Sequence, residues 1–175
     1  MKCFLDMDGV LCDFISAACD IHGLDYGVIG TDYHLGLGVE RFWQPIHDAG
    51  SSFWADLKPM PWYKTLLSVV DSCFDHWCVL SCPSKMVHDC CRGKHEWLER
   101  HGVVGSGPPV FDCDKGKYAT CDSVLIDDDQ RKCLAFTEAG GIAVWWPSSW
   151  NDNNEPLDNV LAEIRRLSDA ANIQV

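Results

Sequence analysis

Apolar residues in this chain come in short blocks: Phe4-Leu5, Trp77-Cys78-Val79-Leu80, Val110-Phe111, Val124-Leu125-Ile126, and a further run over residues 142–145. Short continuous runs bounded by polar and turn residues suit strands buried on both faces. Between them lie stretches with helical periodicity, at residues 12–22, 62–75, 85–100, 130–139 and 156–171. In the last, Leu157, Val160, Leu161, Ile164 and Leu167 recur at helical spacing and form one apolar stripe. Strands alternating with helices predict an α/β fold, a doubly wound parallel sheet with helices on both faces. Between the first helix and Pro61 the pattern breaks into Gly-rich and aromatic segments without a clear strand. Residues 23–60 are therefore expected to form a small helical cap, and residues 1–22 with 61–175 the core domain. The chain shows no repeat, low-complexity tract or long linker.

Length and charge narrow the function. The 175 residues suffice for one domain with a small insertion but not for a second full core. A net charge of −12 with no basic stripe argues against duplex nucleic acid, whose binding rests on phosphate contacts. No run is long enough to span a membrane. The eleven cysteines invite a disulfide or zinc reading. The chain opens directly on a strand without a charged-then-apolar leader, which predicts a cytoplasmic protein with reduced cysteines. Cys78, Cys82, Cys90 and Cys91 lack the paired spacing of structural zinc sites, and the seven histidines are scattered.

The chemistry concentrates where apolar runs end. Asp6 and Asp8 are two residues apart at the end of the first run, and along an extended strand such positions share a face, with Met7 turned to the core. Gly9 then allows a sharp turn. On its own this is also an ordinary turn composition, and Gly9 follows Asp8 too closely for an EF-hand calcium loop. Downstream, Ser81 closes the second run, Lys115 and Lys117 follow the third, and Asp127-Asp128-Asp129 closes the fourth. Each has a plainer reading: Ser81 or Ser84 as a helix cap, the lysines as solvated loop residues, the aspartates as complements to a helix dipole.

Taken in order, Asp-x-Asp, Ser, Lys and paired Asp resemble the four motifs of the haloacid dehalogenase superfamily of aspartate-nucleophile phosphatases, across residues 6–128. The resemblance implies a Rossmann-like core with the cap inserted after the first motif. It is closest to the 5′(3′)-deoxyribonucleotidases, through Leu5-Asp6-Met7-Asp8-Gly9-Val10-Leu11 with Asp13-Phe14, Phe53-Trp54-x-Asp56-Leu57-x-Pro59-x-Pro61, and Lys94-x-x-Trp97-Leu98-Glu99. Three departures stand out: Lys115 replaces an arginine, Ser81 a threonine, and Asp129-Gln130 an Arg-Pro pair. An ammonium does not grip phosphate bidentately as a guanidinium does.

The resemblance assigns roles that the chemistry of phosphate monoesters makes intelligible. Their hydrolysis requires acceleration of up to ~10²¹-fold, largely through positioning and charge neutralisation. Asp6 is expected to be the nucleophile, and Asp8 the acid and then the base. Mg²⁺ is expected between Asp6, the Asp8 carbonyl and the Asp127/Asp128 pair, with Asp128 the direct ligand and Asp127 holding water or lysine. Ser81 would donate to a phosphoryl oxygen, and Lys94 would approach the phosphate. For the catalytic lysine, the family spacing of ten residues before Asp127 favours Lys117 over Lys115.

Substrate choice is expected to reside in the cap. Phe14, Trp43, Phe53 and Trp54 offer flat faces for a nucleobase, and Cys82 and Lys115 join the substrate-binding set. Trp43 reads equally well as cap core. The cluster Trp145-Trp146-Pro147-x-x-Trp150-Asn151 either edges the site or covers the sheet end, and it is left outside the set. The expected substrate is a deoxyribonucleoside or ribonucleoside monophosphate. The alternative is a sugar or other small phosphate, and a homodimer is compatible with either. A catalytically inactive binding module is the third class, and the joint presence of all the motif residues argues against it.

Overall fold

The computed structural model describes residues 1–25 and 34–172, with side chains through Ala170. Residues 26–33 of the expected cap and 173–175 of the expected core lie outside the described residues. Strands β1 (Lys2–Leu5), β2 (His76–Ser81), β3 (Val110–Phe111), β4 (Ser123–Asp127) and β5 (Ile142–Trp145) form one parallel sheet in the order β3-β2-β1-β4-β5. The helices are α1 (Phe14–His22), α2 (Val39–Ala49), α3 (Ser51–Ala55), α4 (Tyr63–Cys73), α5 (Cys90–Arg100), α6 (Gln130–Glu138) and α7 (Leu157–Asn172). A 3₁₀ turn, Lys115–Tyr118, leads into β4.

Both faces of the sheet are buried, which is why its strands read as continuous apolar runs. Cys3, Leu5, Val79, Val124 and Ile126 face one large core, into which α1, α4, α5 and α7 also pack. Phe4, Cys78, Leu80 and Leu125 face a smaller core closed by Phe136 of α6. On α7, Val160, Leu161 and Ile164 bury the expected stripe, while Leu157 and Leu167 flank it half-buried. The chain leaves β1 toward β2 on one side and later returns to place β4 on the other. The carboxyl ends of β1 and β4 therefore flank a topological switch point, where open α/β sheets bind their ligands.

Helix boundaries follow local chemistry. Helix α1 begins after Asp13, whose carboxylate accepts from the Ser16 N–H at 3.1 Å, and it ends at Gly23 in the left-handed conformation. Helix α5 begins five residues later than the periodicity predicts, because residues 83–89 form a loop beside β2. Ser84 is not its cap: its hydroxyl accepts from the Met86 N–H within that loop.

Helices α2 and α3 lie in the chain between α1 and α4, and α3 packs closely on α5. Gly93 makes that approach possible, since a Cβ there would lie 2.1 Å from the Ser51 carbonyl oxygen. The contact is latched by Trp97 Nε1 donating to Leu57 O at 2.7 Å and by Arg100 Nη1 donating to Ala55 O at 2.6 Å. The residue after Gly93 is Lys94, so the surface that seats α3 also aims a lysine at the end of β2.

One expectation fails here. Cys82 and Cys113 form a disulfide. They are 31 positions apart in sequence, but pairing of Ser81 with Phe111 brings the two chain exits together and sets their Cα atoms 4.2 Å apart. A leader-based argument for reduced thiols carries no information about this register.

Candidate active site

The floor of the site is assembled from strand ends. Asp6 follows β1 directly, its N–H bonded to Ile126 O of β4 at 2.9 Å, and Met7 is fully buried as the alternation requires. Gly9, at φ 79°, turns the chain away. A Cβ at Gly9 would lie 1.6 Å from Asp128 Oδ2, so no other residue fits between the first and fourth motifs. Asp6, Asp127 and Asp128 are all buried, and one oxygen from each lies within 4.8 Å of the others.

Two buried lysines organise these carboxylates. Lys115 Nζ lies 2.8 Å from Asp6 Oδ1 and also pairs with Asp127 Oδ2. Lys94, 1% exposed, donates to Asp8 Oδ2 at 2.7 Å, Ser81 Oγ at 2.8 Å and Cys82 O at 3.0 Å. Because Lys94 uses Ser81 Oγ as an acceptor, the serine O–H is left to donate into the cavity. Lys117, in contrast, is exposed and bridges Asp112 at 3.2 Å and Asp114 at 3.6 Å. The lysine brought to Asp6 is Lys115, correcting the choice of Lys117. In the 3₁₀ turn, positions two apart point in different directions, so spacing alone selected the wrong one.

Electrostatics separates the carboxylates. Burial alone would raise the Asp6 carboxyl, but the charges of Lys115, Lys132 and Lys94 overcome it and hold its pKa at about 2. Burial and the neighbouring Asp6 raise Asp127 despite Lys115. Burial, then Asp127 and Asp6, push Asp128 well above the usual carboxylate range. Lys94 is raised: burial disfavours its charge, but Asp8, Cys90 and Asp6 outweigh that.

This donor set suits a hard divalent cation. All three clustered ligands are carboxylate oxygens. Asp6 Oδ1 is buried without an aligned hydrogen-bond donor, because the Lys115 contact is an ion pair outside hydrogen-bond geometry. Asp127 spends Oδ2 on Lys115 and Oδ1 on the Asp129 N–H at 2.9 Å. Asp6 and Asp128 thus retain the freer oxygens. The Asp8 carboxylate stands apart from the cluster, paired to Lys94.

Above the floor is a cavity of about 310 Å³, lined by Asp6, Asp8, Ser81 and Asp128 below and by Phe14, Trp43 and Trp54 at the side. Cys82 and Cys113 also border it, so the disulfide is part of the wall. Phe53 departs from expectation: it packs edge-on to Phe14 at 5.5 Å between centroids and borders a separate groove with Asp13 and Asp20. Adjacent residues on the short helix α3 cannot both face one cavity, and Trp54 is the one that does.

Among the lining residues outside the expected set, Lys132 and Trp150 act directly on the acidic cluster. Lys132, one turn along α6 from the acidic run, has its pKa raised: burial works against its charge, but Asp6, Asp127, Asp128 and Asp129 outweigh it. Its spacing of four from Asp128 was a usable signal. Trp150 donates Nε1 to Asp128 Oδ2 at 2.6 Å. Only the aromatic run after β5 hinted at it.

Comparison with known proteins agrees with this geometry. No curated protein matches the chain in sequence. Among solved structures, a haloacid dehalogenase-like family hydrolase from Xanthomonas campestris is similar at TM-score 0.64 and 12% identity, covering 100% of this chain and 94% of that one. A hydrolase from Pseudomonas syringae is similar at TM-score 0.52 and 17% identity, covering 94% and 90%. An enzyme of the same family from Bacteroides thetaiotaomicron, in complex with magnesium and inorganic phosphate, is similar at 0.50 and 13%, covering 87% and 96%. At these identities the likeness establishes the fold. The family model described as 5′ nucleotidase, deoxy (pyrimidine), cytosolic type C protein matches residues 1–156. With that match over most of its length and a haloacid dehalogenase core around its aspartates, the chain belongs to the cytosolic type C 5′-deoxynucleotidase family of phosphatases.

Proposed function

We propose that this phosphatase releases phosphate from nucleoside monophosphates with Mg²⁺, through an aspartyl-phosphate on Asp6. The observation that carries the reading is one cavity with a charged floor and an aromatic side. Its volume of about 310 Å³ suits one small ligand. Phe14, Trp43 and Trp54 stand where a planar group attached to the phosphate would lie.

Asp6 stays ionised, so its carboxylate is available to attack phosphorus. Asp8 protonates the leaving oxygen and then takes the proton of the attacking water. Its Oδ2 is anchored by Lys94, which fixes the carboxylate at the cavity edge. Ser81 donates its O–H to a phosphoryl oxygen, and Lys94 and Lys132 offset the phosphate charge. Asp127 holds Lys115 against Asp6. Bound among Asp6, the Asp8 carbonyl and Asp128, Mg²⁺ would neutralise carboxylate and phosphate charge that otherwise repel. The magnesium and phosphate in the Bacteroides enzyme support this choice of ion. Residues 23–60, read as a cap, would set substrate choice through Trp43 and Trp54.

The test is phosphate release from a panel of nucleoside, deoxynucleoside and sugar monophosphates, with Mg²⁺ and with EDTA. The expected result is Mg²⁺-dependent turnover that favours nucleotides. Preference for sugar phosphates would transfer the assignment to a phosphatase of small sugar esters.

A further inference from the structure

The end of β5 and the segment after it lie outside the four motifs, yet together they supply three donors to one aspartate. Trp145 Nε1 donates to the Asp128 main-chain oxygen at 3.0 Å, and Asn151 Nδ2 donates to the same oxygen at 2.8 Å. Trp150 Nε1 donates to the carboxylate itself, to Oδ2, at 2.6 Å. Against that oxygen also lies Gly9, where a Cβ would come within 1.6 Å of Oδ2 and 3.3 Å of Trp150 Nε1. Oδ2 is therefore packed against the Gly9 backbone and held by an indole N–H. Among the described residues Oδ1 accepts no hydrogen bond, and it is the oxygen left for an ion.

A carboxylate held in this way cannot readily turn both oxygens toward one cation. That constraint has different consequences for two abundant ions. Mg²⁺ demands near-octahedral coordination at about 2.0–2.1 Å, whereas Ca²⁺ accepts six to eight oxygens and readily takes a bidentate carboxylate. We infer that Trp150 is a positioning residue that presents Asp128 as a one-oxygen ligand and so selects Mg²⁺ over Ca²⁺. The inference rests on the Mg²⁺ reading above. It adds that the selection comes from an aromatic residue outside the motifs.

Trp150→Phe tests it, because the ring and its packing remain while the donor is lost. Dissociation constants of Mg²⁺ and Ca²⁺ are measured by isothermal titration on the full chain without substrate, together with the thermal midpoint in metal-free buffer. Outer partners of metal ligands typically govern affinity by about 10–100-fold. The expected result is Mg²⁺ binding weakened by about that factor, a smaller change for Ca²⁺, and an unchanged metal-free midpoint. Trp150→His, which restores an N–H donor, is expected to recover part of the Mg²⁺ affinity. Unchanged Mg²⁺ binding in Trp150→Phe would overturn the inference and leave the Mg²⁺ reading standing. So would equal loss of both ions with a lowered metal-free midpoint, which would make Trp150 merely structural. Failure of the wild-type protein to bind Mg²⁺ would overturn that reading, and this inference with it.

Discussion

The floor and the aromatic side of the cavity are built on different physics. On the floor, Asp6, Asp127, Lys94 and Lys115 are at most 3% exposed, and each is held by charges on other elements. On the side, rings hold one another: Phe14 meets Phe53 at 5.5 Å, Trp43 meets Phe42 at 5.1 Å, and Trp43 stacks on Trp54 at 6.5 Å. A buried charge that loses its partner has no cheap alternative, whereas a ring that loses one neighbour keeps the rest. The floor is therefore expected to tolerate almost no substitution, and the side to tolerate graded change. Under the proposed function, chemistry would belong to the first and substrate choice to the second.

The largest expected effect is at Asp6. Asp6→Asn is expected to remove turnover by at least about 10⁴-fold, as loss of a covalent nucleophile does elsewhere, with the circular dichroism spectrum unchanged. Substrate-level turnover in a purified, metal-replete sample would break the floor assignment. Next comes the lysine pair. Lys115→Met removes the cation paired directly to both Asp6 and Asp127, so the expected losses are roughly 10²–10³-fold in kcat/KM and about 3–5 kcal/mol of stability. Lys117→Met, on the exposed surface, is expected to leave kcat/KM and the thermal midpoint unchanged. Equal damage from both would erase the distinction between buried and exposed lysine on which the floor rests.

How far the sequence revealed this molecule follows from the same contrast. Strands and flanking helices were legible because burial on both faces leaves an unbroken apolar run, as in Val124-Leu125-Ile126. Asp6, Asp8, Ser81 and the acidic pair were legible because each closes such a run. Lys115 was not separable from Lys117, because which one points inward depends on a 3₁₀ turn that has no periodic signature. Phe53 and Trp54 looked equivalent as neighbouring aromatics, and only the seating of α3 on α5 gives them different surroundings. The Cys82–Cys113 bond depends on a two-residue strand pairing between distant segments, and Trp150 reaches Asp128 across 22 positions. The disulfide leaves no local trace, and the aromatic run around Trp150 does not say which carboxylate it meets.

The disulfide is part of the cavity wall, and its effect is expected to be intermediate. Closing a loop of 31 positions should contribute about 2–4 kcal/mol, or roughly 5–15 °C in thermal midpoint for a chain of this size. Calorimetry with and without reductant measures that difference. Thiol titration under denaturing conditions is expected to count nine free cysteines before reduction and eleven after. Eleven from the start, with no shift on reduction, would show an uncrosslinked cavity wall.

The smallest expected effect belongs to the aromatic side. Trp43 is half-buried and lines the cavity, so Trp43→Ala tests stacking with less disturbance of the core than Trp54→Ala would cause. Loss of one base contact is expected to cost ~1–3 kcal/mol of nucleotide binding, or roughly 5–150-fold, while a small alkyl phosphate loses little. Equal loss on both substrates would mean that the ring supports the floor rather than reading the base.

The most direct test of the central claim is to trap the enzyme in mid-reaction. Turnover is quenched with acid, the protein is reduced with borohydride, which converts a phosphorylated aspartate to homoserine, and the modified residue is located by peptide mass spectrometry. Homoserine at position 6, dependent on substrate and absent from Asp6→Asn, is the predicted result. Modification at position 8, or none at position 6 while phosphate is being released, would contradict the account.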